Sequence, residues 1–122
     1  MKALLTGHKG FIGSHYLPVL KEDYDVTCAD KRDGVNLCDP NIEYYNLGEQ
    51  DVVIHLAATN GTKLFYKFPT EVTFNNTLPT FNLVKQYPNS KFVFASTCEI
   101  FNGAIDKGYY KIPTDEKVPI HF

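Results

Sequence analysis

The chain begins Met1-Lys-Ala-Leu-Leu-Thr-Gly-His-Lys-Gly-Phe-Ile-Gly13, and this stretch decides the fold. The apolar residues at 2–6 predict a β-strand, and three glycines follow it with the spacing Gly-x-x-Gly-x-x-Gly. Apolar side chains then recur at positions i, i+4, i+7 and i+8 from Ile12 to Leu20, which predicts a helix over about 11–21. A strand, a glycine turn and a helix therefore follow one another directly.

The glycine turn, Gly7 to Gly13, has the composition of a phosphate-binding loop. One glycine turns the chain off the strand, one leaves room for a pyrophosphate, and one lets the helix pack close to the strand. The helix N-terminus adds unpaired N–H groups and the positive end of a dipole. Such a triplet alone also fits a turn that binds nothing. The next predicted strand, 25–30, ends in Asp30 at about the spacing expected of a ribose-binding acid, which favours dinucleotide binding.

Asp30 also predicts which dinucleotide is bound. A carboxylate there accepts hydrogen bonds from both hydroxyls of the adenosine ribose and repels a 2′-phosphate, so NAD is favoured over NADP. Lys9, Lys31 and Arg32 lie close by in the sequence and could neutralise that phosphate. Interpreted as solvated surface charges, they leave the preference for NAD in place.

The rest of the chain alternates short apolar runs with helix-like segments, which is typical of a parallel sheet built from βαβ units. The run at 52–56 is nearly all apolar, as a central strand covered on both faces requires. Pro18 predicts a short or bent first helix, and Pro79 a break in the last one. Strands are predicted at about 2–6, 25–30, 35–37, 52–56 and 91–96, helices at about 11–21, 41–47 and 69–87, and loop after Phe101.

Composition and charge narrow the class of protein. The 122 residues fit one domain, and 43% hydrophobic with 21% charged residues is ordinary for a globular chain. Lys and Arg total 12 against 14 Asp and Glu, which gives no electrostatic reason to expect nucleic acid or a membrane as partner. The first apolar stretch is too short for a secretory signal, and no run is long enough to cross a bilayer.

The cysteines and histidines predict neither a disulfide framework nor a metal site. Cys28, Cys38 and Cys98 are odd in number and irregular in spacing, so we expect reduced thiols and a cytoplasmic protein. The four histidines show no ligand spacing. His55 lies in an apolar strand, and we expect a core histidine with its hydrogen bonds satisfied.

Four further sequence motifs follow the glycine turn. They are Asp39 in Asn-Leu-Cys-Asp, the run Asp51-Val-Val-Ile-His-Leu-Ala-Ala, Asn76 with Thr80, and Ser96-Thr-Cys-Glu-Ile-Phe. With the glycine turn, they make essentially the whole chain resemble the NAD-dependent epimerase/dehydratase family, extended short-chain dehydrogenase/reductases that act on nucleotide sugars. The resemblance implies a Rossmann-type α/β fold. Its doubly wound parallel sheet would have about five strands in the order 3-2-1-4-5, flanking helices and an incomplete C-terminal part. It also implies transient hydride transfer from the sugar C4 to NAD.

The resemblance assigns cofactor-binding roles residue by residue. Ala57 and Ala58 resemble the small pair that passes the cofactor ribose and phosphates, although tight core packing would also explain them. Asn76 resembles an asparagine that ties helix to sheet. Asp39 either contacts the adenine amino group or caps a helix before Pro40, and the sequence leaves both open. The implied cofactor residues are Gly7, Lys9, Gly10, Phe11, Ile12, Gly13, Asp30, Asp39, Leu56, Ala57, Ala58 and Asn76.

The resemblance also implies two catalytic positions. Thr97 stands in place of the Ser or Thr that hydrogen-bonds the sugar hydroxyl or keto oxygen. Glu99 stands in place of a glutamate base of dehydratases and some decarboxylases, with a solvated loop acid as the alternative. Cys98 stands where many dehydratases have Asp, and Phe101-Asn102 replaces the usual Tyr-Gly. These departures leave open whether an epimerase, a dehydratase or a decarboxylase is implied.

The family's Tyr-x-x-x-Lys pair has one match, Tyr87 to Lys91, which contains Pro88 and precedes the Thr97 strand. We therefore expect residues 1–122 to be an NAD(P)-binding domain that lacks the catalytic helix and substrate-binding part and is inactive alone. A fragment, a truncated product and one part of a split enzyme are all compatible with this. So are a non-catalytic NAD(P)-binding sensor or regulatory module and a remnant that binds nothing. The unpaired edge of the fifth strand predicts a homo-oligomer or a partner chain there.

Overall fold

A computed structural model describes residues 1–97 and Phe101. Its centre is a parallel sheet of four strands in the order β2-β1-β3-β4. The strands are β1 Lys2–Thr6, β2 Asp25–Ala29, β3 Val52–His55 and β4 Lys91–Phe94. The helices are α1 Phe11–Asp23, α2 Thr62–Lys67 and α3 Pro69–Gln86, and 3-10 turns lie at Lys31–Asp33 and Ile42–Tyr45. The Rossmann-type parallel α/β fold is thereby confirmed.

The sheet is covered on both faces, and this explains why its central strands are continuously apolar. Alternate residues of a strand point to opposite faces. On one face, Leu4 and Val53 pack with Leu83 of α3. On the other, Leu5 and neighbouring residues pack with Leu20 of α1. An apolar side chain is needed at every position of such a strand.

The predicted strand at 35–37 is wrong. Gly34 adopts a left-handed conformation with φ 83°, and the N–H of Val35 then donates to the carbonyl of Asp30 at 3.3 Å. The segment therefore turns back at the end of β2. Leu37 packs into the core on the α3 side, where its carbonyl accepts from Asn82 at 2.9 Å. Without that strand, the predicted order 3-2-1-4-5 reduces to the order observed.

The helices differ from the prediction in three respects, the first being that the helix predicted at about 41–47 is only the 3-10 turn Ile42–Tyr45. The break expected at Pro79 is wrong, because α3 continues through it to Gln86. Pro79 is buried on the same helix as Val72 and Leu83, and this packing offsets the hydrogen bond that a proline removes. The short helix α2 was not predicted. Within the described residues, no helix is long and apolar enough to span a membrane.

Strand β4 forms one edge of the sheet as far as the described residues extend. It pairs with β3, and Val93 and Phe94 are 42% and 55% exposed. A long apolar edge is an association hazard. The homo-oligomer or partner chain expected at this edge stays a prediction.

Candidate functional site

A cavity of about 360 Å³ lies at the carboxyl ends of β1, β2 and β3. Ligands of open parallel sheets bind at this edge, and the volume is within the range of small-molecule pockets. The cavity brings together three sequence-predicted groups: the glycine turn, Asp30, and the segment after β3. Its lining is Gly7, Gly10, Asp30, Lys31, Arg32, Val35, Asn36, Leu37, Cys38, Leu56, Ala57, Ala58, Thr59, Asn75 and Pro79.

Gly7 and Gly13 are glycines because the protein's own packing requires it. Gly7 has φ 71°, and a Cβ built on it would lie 2.7 Å from the backbone nitrogen of Ala57. A Cβ on Gly13 would lie 2.3 Å from the carbonyl oxygen of Gly7. Real carbon atoms do not approach so closely. These two glycines therefore let β1, the start of α1 and the segment after β3 pack together.

Gly10 differs from both. Its φ of −73° and ψ of 172° are open to any residue. Of the described atoms, the carbonyl oxygen of Gly7 alone lies within 4 Å of a Cβ built there, at 3.1 Å, so a small shift would make room. Gly10 lines the cavity. A side chain at this position would occupy the cavity far more than it would disturb the protein.

Helix α1 begins at the cavity and offers backbone donors there. The first N–H groups of an α-helix have no partner within the helix. Gly10 is the N-cap and supplies no side-chain acceptor, and the first turn of α1 contains no acidic residue. Phe11 and Ile12 are not in the cavity lining, and they are 84% and 64% exposed. The helix start therefore suits an anion.

Asp30 follows β2 directly and is a buried carboxylate fixed by hydrogen bonds. Its Oδ2 accepts the N–H of Lys9 at 3.1 Å, and its Oδ1 accepts the N–H of Arg32 at 2.9 Å and the Arg32 Nε at 3.3 Å. Burial alone would raise the pKa of Asp30. The two backbone N–H groups and the charge of Arg32 outweigh that effect, so the pKa lies below its ordinary value. Asp30 is therefore ionised at neutral pH and faces the cavity with acceptor capacity left on Oδ2.

Two of the three basic residues near Asp30, Lys9 and Arg32, are engaged with acids, whereas Lys31 lines the cavity. The ammonium of Lys9 pairs with Asp33, whose other oxygen lies 3.1 Å from Nε2 of His8. Arg32 pairs with Asp30 itself. His8 and Asp33 were not predicted to belong to the site. Asp33 could have been suspected from its position within the short charged run that follows Asp30.

The segment after β3 is held from two directions. The hydroxyl of Thr6 accepts the N–H groups of Leu56 and Ala57, each at 3.2 Å. Asn76 of α3 accepts the N–H of Thr59 at 2.7 Å and donates to its carbonyl at 3.0 Å. Asn76 thus acts by fastening the cavity wall and is not itself in the lining.

Other predicted residues lie elsewhere. Among the described residues, the lining does not include Asp39, whose Oδ1 accepts the N–H of Asn41 at 2.9 Å in a local turn. Thr97 follows β4 at the carboxyl edge of the sheet, and Glu99 lies outside the described residues. No group of three or more His, Cys, Asp or Glu side chains in the described part could hold a metal ion.

One side of helix α3 belongs to the site, although the sequence did not predict it there. Asn75 and Pro79 line the cavity, and Asn82 continues the same row of the helix. Asn75 accepts from the thiol of Cys38 at 3.5 Å, and Asn82 holds the carbonyls of Leu37 and Asp39. Their i, i+4, i+7 spacing was the available signal.

The Tyr87–Lys91 match lies away from the cavity. Tyr87 follows α3 as its C-cap and is 8% exposed in the core, where burial raises its pKa. Lys91 is the first residue of β4. Both therefore lie toward the amino ends of the strands, opposite the cavity.

A family model described as the NAD dependent epimerase/dehydratase family matches residues 3–121. The chain therefore belongs to this family. It is 32% identical over 132 residues to a dTDP-D-glucose 4,6-dehydratase of Dictyostelium discoideum, covering 85% of this chain and 30% of that protein. The chain thus spans less than half the length of this relative.

Solved structures agree with the family. A UDP-galactose 4-epimerase superposes with a TM-score of 0.76 at 28% identity, covering 99% of this chain and 45% of that one. A UDP-glucose 4-epimerase of Thermus thermophilus, solved in complex with NAD, superposes with a TM-score of 0.67 at 30% identity. The match covers 80% of this chain and 38% of that one.

Proposed function

We propose that the cavity binds NAD, with the pyrophosphate at the glycine turn and the adenosine ribose at Asp30. The observation that carries this proposal is Gly10. Its backbone conformation is open to any residue and a Cβ there would need only a small shift, yet it lines the cavity at the start of α1. A ligand that lies against the bare backbone explains this glycine. The NAD complex of the Thermus thermophilus relative supports the same ligand.

The preference for NAD over NADP rests on charge. Asp30 is ionised and fixed, so it would repel a 2′-phosphate and accept from a ribose hydroxyl. Of the three nearby cations that could counter this repulsion, Lys9 and Arg32 are already paired with Asp33 and Asp30, which leaves Lys31 in the cavity lining to oppose Asp30. We propose Leu56, Ala57 and Ala58 as the wall along the ribose and phosphates, and Phe11, Ile12 and Gly13 as main-chain contacts.

The binding proposal is tested by isothermal calorimetry with NAD on the full chain. Gly10→Val should abolish measurable binding because its side chain fills the space of the pyrophosphate, while the circular dichroism spectrum stays near that of the parent. Asn89→Val is the control, since exposed Asn89 lies at the amino edge of the sheet, remote from the cavity, and its φ is not positive. Unchanged affinity in Gly10→Val would contradict the proposal.

For the whole protein, we propose a nucleotide-sugar epimerase or dehydratase in which hydride passes transiently between the sugar C4 and NAD. Thr97 would hydrogen-bond the sugar oxygen and Glu99 would act as a base near the reacting carbons. We propose that residues 1–122 form the NAD-binding domain and do not turn over a nucleotide sugar alone. The supporting observation is that Tyr87 and Lys91 lie at the wrong edge of the sheet.

A non-catalytic NAD-binding module, or one part of a split enzyme, is the alternative. Incubation with NAD and a panel of UDP-, GDP-, dTDP- and CDP-sugars, followed by NADH absorbance and mass spectrometry, tests the inactivity. Turnover that Thr97→Ala removes would show a complete active site in this chain and contradict that part of the proposal. The cytoplasmic location and the nucleotide-sugar partner stay predictions.

A further inference from the structure

Thr6 and His55 form a buried polar pair beneath the cavity. They are opposite one another in the parallel pairing of β1 with β3, at the last residue of each strand. Oγ1 of Thr6 lies 2.7 Å from Nδ1 of His55, and the two residues are 0% and 3% exposed. The ring of His55 also lies between Phe92 and Phe94 of β4, with centroids 6.2 and 6.1 Å away.

Counting protons fixes the direction of this hydrogen bond. The Thr6 oxygen accepts the N–H groups of both Leu56 and Ala57 at 3.2 Å. A threonine hydroxyl has two lone pairs and one hydrogen, and the two N–H groups occupy both lone pairs, so its oxygen cannot also accept from the ring. The Thr6 hydrogen is therefore directed at Nδ1 of His55, which must accept. The imidazole is neutral, with its hydrogen on Nε2.

The environment of His55 favours that neutral form. Burial lowers its pKa to about 4. Its described ring contacts are with phenylalanines, so no carboxylate there favours a proton on the ring. The acceptor is therefore present throughout the neutral range.

The two N–H groups that Thr6 holds belong to the cavity wall. Leu56 and Ala57 both line the cavity, and Ala57 packs against Gly7, where a Cβ would come within 2.7 Å of its nitrogen. Beyond His55 the chain leaves β3, so these N–H groups depend on a side chain for a partner. Thr6 supplies the partner and His55 orients the Thr6 hydroxyl.

We propose that Thr6 and His55 are positioning residues for the dinucleotide. Together they fix the position of the Leu56–Ala57 backbone relative to the glycine turn. An apolar pair would fill the core equally well but would leave two buried N–H groups without an acceptor. The wall would then move to find one, and the cavity would change shape. This inference rests on the proposed NAD-binding function.

The test is an NADH fluorescence titration together with thermal unfolding on the full chain. Thr6→Val removes the hydroxyl at nearly constant volume and should weaken NADH binding by about tenfold or more. Thr6→Ser keeps the hydroxyl and should stay within about threefold of the parent. Thr27→Val is the matched control, because it removes a β2 hydroxyl that accepts from Gln50 at 3.1 Å, away from the wall. It should lower the melting temperature and leave the affinity unchanged.

The outcomes separate the inference from the function on which it rests. A parent chain that binds no NADH contradicts the proposed function and the inference with it. A parent that binds, with Thr6→Val of equal affinity, overturns the inference alone. If Thr6→Val does not fold, the NADH affinities of His55→Gln and His55→Phe test the inference instead. Glutamine retains an acceptor oxygen and should bind NADH more tightly than the phenylalanine variant, and equal affinities would overturn the inference.

Discussion

The two halves of the cavity are built in different ways. The half formed by the glycine turn and the segment after β3 is backbone against backbone: Gly7 touches Ala57, Gly13 touches Gly7, and buried Thr6 joins them. In the half after β2, the partly exposed side chains of Lys9, Arg32 and Asp33 form ion pairs with one another, with buried Asp30 and with the largely buried His8. The first half has a fixed shape, whereas the second has adjustable charge.

This difference implies a division of labour. A pyrophosphate is common to both nicotinamide dinucleotides, and a rigid backbone cradle suits a group that does not vary. The ribose 2′ position is where NAD and NADP differ, and exposed charges can change there without disturbing the core. Changes at the tightly packed glycines of the first half, Gly7 and Gly13, should therefore affect stability, and changes in the second half should affect which ligand is preferred.

The largest effect is expected at Gly7, with Gly34 as its matched control. Both have positive φ, 71° and 83°, but a Cβ at Gly34 meets nothing within 4 Å. Gly34→Ala should therefore cost only the left-handed strain, about 1–2 kcal/mol. Gly7→Ala adds a clash with Ala57 and should cost about 2–5 kcal/mol in all. Urea unfolding measures both, and equal losses would show that the backbone contact is not tight.

The next effect concerns His55 and pH. Its pKa falls from 6.5 when unfolded to about 4 when folded, so the unfolded chain binds the extra proton between these values. Stability due to the neutral ring is present above about pH 6.5 and is lost as the pH falls toward 4. The loss should be on the order of 3 kcal/mol. Asp30, with its lowered pKa, loses its contribution only at still lower pH.

Urea unfolding at several pH values between about 7 and 4 checks this expectation. His55→Phe should be less stable than the parent at neutral pH but should lose less stability on acidification. Parallel pH profiles for the two chains would place the dependence on other groups and contradict the assignment of His55 as a neutral acceptor.

The same division explains what the sequence could predict. The strands, the glycine turn and Asp30 follow from local patterns: apolar runs, glycine spacing and the distance from turn to acid. The strand predicted at 35–37 is absent because apolar Val35 and Leu37, with polar Asn36 between them, can be buried under a helix as well as in a sheet, and Leu37 is held there by its hydrogen bond from Asn82. The break predicted at Pro79 is absent because the packing of α3 against the core outweighs the tendency of a proline to interrupt a helix.

The side-chain pairings of the second half were beyond sequence reasoning for a related reason. Lys9 was predicted among the cofactor-binding residues and interpreted as a solvated charge with respect to the 2′-phosphate, but the fold brings it against Asp33, which lies after β2. His8 joins the same carboxylate. Such pairs depend on the positions of two chain segments that are distant in sequence, and no periodicity encodes them.

The smallest effect is expected at Asp33, where the second half can be retuned. Asp33→Asn removes the charge that holds Lys9 and His8, so the positive charge of Lys9 becomes available at the end of β2. Because these groups are partly exposed, the gain should be under about 1 kcal/mol, roughly a two- to fivefold rise in the ratio of NADP to NAD affinity. The rise should shrink in high salt, since screening weakens exposed charges. Asp25→Asn is the control: it makes the same charge change at the first residue of β2, the far end of that strand. Fluorescence titrations with NADH and NADPH at low and high salt measure the ratios. An equal rise in both variants would reflect net charge alone, and no rise in either would show that Asp30 by itself sets the preference.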